Sequence, residues 1–91
     1  MQVQFQVDEN VLFQTVVDEA VLLNLNDNHY YGLDDIATRM WELIIEHGNV
    51  EDVIHQMLQE YAVDEATLRR DFAALMAEME ARELIRRVVD K

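Results

Sequence analysis

The side chains able to do chemistry are three histidines and nineteen carboxylates. His29 stands alone, and His47 and His55 straddle Gly48. No two of them share the one-turn helical spacing of a zinc pair, so no metal centre is expected. The carboxylates are scattered over polar positions. None is set apart as an acid–base pair, and a solvated acidic face is the simpler reading. The only glycines are Gly32 and Gly48, too few for a phosphate-cradling loop. With no cysteine, thiolate nucleophiles, thiolate metal sites and disulfides are excluded together. No catalytic residue, metal or cofactor is therefore expected. What remains is backbone chemistry. The run Asn28-His29-Tyr30-Tyr31-Gly32-Leu33 is short, aromatic and preceded by turn residues, which is the pattern of an edge strand. An edge strand carries unpaired N–H and C=O groups to which an extended peptide can add.

Other elements must position that strand. Val11 to Val17 is rich in β-branched and aromatic residues, and Val21 to Leu25 follows the polar pair Asp18-Glu19. Asn26-Asp27-Asn28 forms a second turn, of residues that tolerate left-handed backbone. The three runs read as an antiparallel meander. Val3, Phe5 and Val7 alternate weakly, so residues 1–10 read as a loose arm or an extra strand. Asp34 is placed to cap a first helix, from about Asp35 to His47, and Gly48 to end it. Ile36, Met40, Leu43 and Ile44 give that helix an apolar stripe, widened by Ala37, Trp41 and Ile45. Asn49 caps a second helix carrying Val50, Val53, Ile54, Met57, Leu58 and Tyr61. Asp64 caps a third, from about Glu65 to Arg82, with Leu68, Phe72, Leu75, Met76 and Met79 in its stripe. Leu84 to Val89 reads as a short final strand. Two helices across a short turn beside strands suggest a winged helix-turn-helix arrangement.

Length and charge narrow the function. A chain of 91 residues starting at methionine reads as one domain, residues 1–91, with one modest core. The N-terminus has no basic and apolar regions of a signal peptide, and no apolar run is long enough to span a membrane. Together with the missing cysteine, this fits the cytoplasm. A net charge of −12 repels phosphate backbones and anionic lipid, so neither nucleic acid nor membrane is an expected partner.

Three features have two readings each. Tyr30 and Tyr31 are adjacent in a strand, so their rings face opposite ways and one is structural. The third helix's stripe is core by default, yet its methionines also suit the wall of a peptide groove. Arg69, Arg70, Arg82, Arg86 and Arg87 either meet acidic groups of a partner or balance nearby Asp71, Glu78 and Glu83. His55, four residues after Glu51, reads as its surface partner.

The runs VLLNLNDNHYYGLDDIATRMWELI, VEDVIHQMLQEYAVDEATLRRDFAALMAEME and ARELI resemble the PqqD-like family of small proteins, over roughly residues 11–86. The resemblance implies an α+β fold of winged helix-turn-helix type, a three-stranded antiparallel sheet followed by three helices. It implies the role of a RiPP recognition element, a non-enzymatic module without cofactor. Such a module binds the leader segment of a ribosomally made precursor peptide and presents it to tailoring enzymes. Stand-alone members serve lasso-peptide pathways, beside a leader peptidase and a macrocyclase, or deliver the pyrroloquinoline quinone precursor to a radical enzyme. The run NHYYGLDD points to the lasso type. Family members commonly carry a glycine where this chain has Glu83, which leaves the exit from the third helix open.

On this reading the leader adds as a fourth, antiparallel strand along Asn28, His29, Tyr30, Tyr31, Gly32 and Leu33. Its alternate side chains enter a trough walled by the third helix, through Leu68, Phe72, Leu75, Met76 and Met79, with Asp71 on the flank to take a leader lysine or backbone N–H. The competing function, a winged-helix DNA-binding regulator, conflicts with the acidic residues among which Arg69 and Arg70 lie.

Overall fold

In the computed structural model, residues 3–89 are described. Local chemistry sets the helices. Asp34, Asn49 and Asp64 each accept a hydrogen bond from a first-turn N–H, of Ala37, Asp52 and Thr67, at 2.8, 2.9 and 3.0 Å. Each cap satisfies a donor that the first turn leaves unpaired. They open α1 (Asp35–His47), α2 (Val50–Glu60) and α3 (Glu65–Ala81), the three helices the sequence predicts. Gly48 ends α1 at φ +79°, and its N–H returns to the Ile44 carbonyl.

Four strands precede the helices, and three of them form one sheet. β2 (Val11–Val16), β3 (Glu19–Asn24) and β4 (His29–Leu33) form an antiparallel sheet in that order, the expected meander. A second, two-stranded sheet is added to it. β1 (Val3–Val7) pairs antiparallel with β5 (Ile85–Val89), so part of the N-terminal arm is a strand and the final apolar segment is its partner. The Phe5 N–H donates to the Gly48 carbonyl at 2.7 Å, which ties this ribbon to the α1–α2 junction.

The β2–β3 turn is Val17-Asp18, one residue earlier than the expected Asp18-Glu19. Val17 takes φ +58°, which is unusual for a β-branched residue. The resulting register sets Phe13 opposite Leu22, whereas a turn one residue later would set it opposite Asn24. Phe13 then meets the Trp41 ring edge-on, with centroids 5.7 Å apart. Ala20, Leu22 and Asn24 are the buried face of β3. On the other face of the sheet Leu12, Val16, Val21 and Tyr30 are exposed.

The core lies between the sheet's inner face and the helices. It contains Met40, Trp41, Leu43 and Ile44 of α1, Val53, Ile54 and Met57 of α2, and Leu68, Phe72, Met76 and Met79 of α3. Ile36 and Ile45, expected in the α1 stripe, are exposed at its margins. Arg39 grips Glu60 with Nε and Nη2 at 2.7 and 2.6 Å, fastening α1 to the end of α2. That guanidinium holds the Glu60 carboxyl down to about 2.

The end of α3 resolves the question raised by Glu83. The Glu83 N–H donates to the Glu80 carbonyl at 3.0 Å and the Leu84 N–H to the Met79 carbonyl at 2.9 Å. This is the double closure of a Schellman turn, with Glu83 left-handed at φ +61°. A side chain at such a position costs roughly 1–2 kcal/mol, which glycine avoids at some cost in unfolded-state entropy. Glu83→Gly should therefore raise stability by about 0.5–1 kcal/mol, read as a higher urea midpoint. An unchanged or lower midpoint would contradict this account of the turn.

Candidate peptide-binding site

Strand alternation decides which backbone groups of β4 are open. A two-residue turn makes Val16 and Glu19 a hydrogen-bonded pair, so the groups of Glu19 face β2. Ala20, Leu22 and Asn24 then turn theirs toward β4. Two contacts agree. The Asn24 carbonyl accepts the Asn28 N–H at 2.7 Å. The buried Thr38 hydroxyl bridges the two strands, accepting from the Ala20 N–H at 2.9 Å and donating to the Leu33 carbonyl at 3.3 Å. The β4 partners Leu33, Tyr31 and His29 thus face β3. Tyr30 and Gly32 present N–H and C=O at the outer edge of the sheet.

Beside that edge lies α3, and between them is a cavity of about 400 Å³. Tyr30, Tyr31, Gly32 and Leu33 line one wall, Leu75, Glu78, Met79 and Arg82 the other. Leu22, Asp34, Ala37 and Leu84 complete the lining. Toward α1 the trough continues between Ile36 and Met40 on one side and Asp71 and Ala74 on the other.

Arg82 closes the far end, and a buried asparagine positions it. Asn24 is 1 % exposed; its Nδ2 donates to the Arg82 carbonyl at 3.1 Å and its Oδ1 accepts from the Asn26 N–H at 2.9 Å. The β3–β4 turn and the end of α3 are thereby joined. The Arg82 guanidinium lies 4.7 Å over the Tyr31 ring and 3.2 Å from Glu78. The Tyr31 side chain first, and the Glu78 charge after it, hold its pKa above the ordinary value.

The structure brings part of the predicted set together. Tyr30, Tyr31, Gly32, Leu33, Leu75 and Met79 line the trough, and Asp71 lines its extension. The two tyrosines do face opposite ways. Tyr31 is half-buried against the core, while Tyr30 is 71 % exposed at the mouth. His29 opens β4 with its ring 6.4 Å from Tyr31, and Asn28 closes the preceding turn at φ +60°. Neither lines the trough. Leu68 is buried in the core, and Phe72 and Met76 line a separate cavity with Phe5 and Val50. On α3, Phe72 and Met76 form one row a turn apart and Leu75 and Met79 the next, and only the second row faces β4. Asn24, Asp34, Glu78 and Arg82 were missing from the predicted set. Asp34 was legible only as a cap and Arg82 only as one arginine among several. An asparagine at an inward strand position was the signal for Asn24.

Other pairings differ from expectation. Glu51 takes the fork of Arg69 at 2.8 Å to each oxygen, and His55 contacts Gln59 at 3.1 Å instead. Arg87 pairs with Glu80, and Arg86 hydrogen-bonds Gln6 across the ribbon. Among the described residues no three His, Asp or Glu converge as a metal site. No described helix is long and apolar enough to cross a membrane.

A family model described as coenzyme PQQ synthesis protein D (PqqD) matches residues 19–85. The chain belongs to the PqqD family. The PqqD match runs from the first residue of β3 to the first of β5. Two solved structures have a similar fold and extend the likeness beyond that range. One is TbiB1 in complex with the TbiA(beta) leader peptide, 31 % identical over 93 % of this chain and 99 % of that one, with a TM-score of 0.84. The other is a lasso peptide synthetase B1 complexed with the leader peptide, 22 % identical over 91 % and 98 %, with a TM-score of 0.82. No curated protein matches this PqqD-family sequence.

Proposed function

We propose that this PqqD-family chain is a RiPP recognition element of the lasso type. It binds the leader of a ribosomally made precursor by strand addition and presents it to a leader peptidase and a macrocyclase. Residues 1–91 act as one non-enzymatic peptide-binding domain, in the cytoplasm where its substrate is made. The observation that carries this reading is the open edge of β4 set beside a trough with Leu75 and Met79 in its wall and charged residues along it. Backbone bonds along the edge give affinity, and the trough gives specificity. The likeness to a leader-bound protein that is 31 % identical supports it. A second reading comes from the family model's own description, which names PQQ synthesis. Binding of a pyrroloquinoline quinone precursor in preference to a lasso leader would favour that one.

The test uses calorimetry with the leader of the chain's own precursor. Tyr30→Pro removes an outward N–H and leaves the β3–β4 bonds intact. It should weaken binding at least about tenfold, the loss of one well-desolvated hydrogen bond plus local strain. Circular dichroism checks that the variant is folded. Wild-type affinity in a folded Tyr30→Pro protein would rule out addition at this edge.

A further inference from the structure

The trough has a charge gradient along its length. Asp34 and Asp71 line its α1 end, Arg82 stands at the other end, and Glu78 lies between them, paired with Arg82. The side chains of Asp71 and Glu78 are 61 % and 60 % exposed, so both are accessible. Asp71 has Arg70, its chain neighbour, no nearer than 3.9 Å, too far for a hydrogen bond. β4 runs between the same two ends. Tyr31 lies under Arg82, and Leu33 leads directly into Asp34. A strand added antiparallel to β4 therefore begins at the acidic end and finishes at the arginine.

Resting on the peptide-binding reading, we propose that the trough selects an extended segment with a defined charge order. That order is Lys or Arg on the N-terminal side, an apolar side chain over Leu75 and Met79, and Asp or Glu on the C-terminal side. The gradient also sets direction, because a reversed segment meets like charge at both ends. In the free protein Arg82 and Glu78 neutralise one another at 3.2 Å. An arriving carboxylate takes over Arg82 and releases Glu78 to the segment's cation, so one internal ion pair is exchanged for two intermolecular ones. The net charge of −12 adds a long-range attraction for the basic end.

The probe is a library of short random peptides displayed on their own messenger RNA and selected on the immobilised protein. Recovered peptides are then measured by fluorescence anisotropy on wild type, on Tyr30→Pro and on the charge-swapped double variant Asp71→Lys/Arg82→Glu. Recovered peptides should show the basic–apolar–acidic order and lose affinity on Tyr30→Pro. They should lose about tenfold on the swapped protein, the sum of two partly exposed ion pairs. Selection on the swapped protein should return the opposite order. Peptides that need Tyr30 but have no charge order, or bind the swapped protein equally well, overturn the charge proposal and leave the edge reading standing. Peptides that bind Tyr30→Pro as well as wild type, or a selection that recovers nothing, overturn both.

Discussion

Trp41→Ala should destabilise the protein by about 3–5 kcal/mol, a large part of what a domain of this size has in reserve. The ring is fully buried at 0 % exposure, between the sheet and the helices, with Phe13 packed edge-on against it. Its Nε1 has no hydrogen-bond partner among the described residues. The indole therefore acts through volume and contact alone, and its N–H is a small liability. Trp41→Phe, which retains most of the apolar volume and removes the orphan donor, should cost far less than the alanine variant. Urea unfolding followed by far-ultraviolet circular dichroism measures both, since the variants lack the chain's only tryptophan. Equal losses for Phe and Ala would mean that the N–H has a partner after all and that packing is not the main contribution.

Leu75→Glu should leave the fold intact and weaken leader binding by about a hundredfold. Leu75 is half-buried and belongs to both the trough and its extension toward α1. A carboxylate there would sit one helical turn from both Asp71 and Glu78, adding like charge to an acidic wall. It would also meet the apolar side chain of the leader. Losing a central apolar contact of this kind is worth roughly 2–3 kcal/mol in binding, hence the hundredfold. Met76→Glu is the contrast. Met76 is 2 % exposed and faces the other cavity, so that variant should unfold rather than discriminate. Calorimetry with the leader and circular dichroism on both proteins separate the cases. Wild-type binding by a folded Leu75→Glu protein would remove α3 from the site.

The parts of this structure legible in the sequence are those set by neighbouring residues. Asp34, Asn49 and Asp64 announce three helix starts because a cap acts within one turn. Gly48 announces an end for the same reason. The β1–β5 ribbon was not legible as a pair, since it joins the two ends of the chain and neither strand has a strong pattern of its own. The α3 stripe named the right helix but not the right row. Leu68, Phe72, Leu75, Met76 and Met79 are all apolar, and only the placement of β4 shows that Leu75 and Met79 border the trough. The glutamate at Glu83 concealed a turn that glycine would have advertised. Asn24 and Arg82 meet across 58 positions of sequence, so the polar strand residue is visible locally but its partner is not.

The edge that offers Tyr30 and Gly32 to a peptide offers them equally to a second copy of the chain. The chain has no proline to block it, no described strand residue forms a bulge there, and the exposed Leu12, Val16 and Val21 lie on the adjoining sheet face. The −12 charge opposes such pairing, and it acts at a distance, before the strands can meet. That protection depends on solution conditions in a way that a steric block would not. It weakens as salt screens the field, and it fades in acid as the net negative charge is lost. The acidic surface therefore serves as a colloidal guard over an edge that must stay bare.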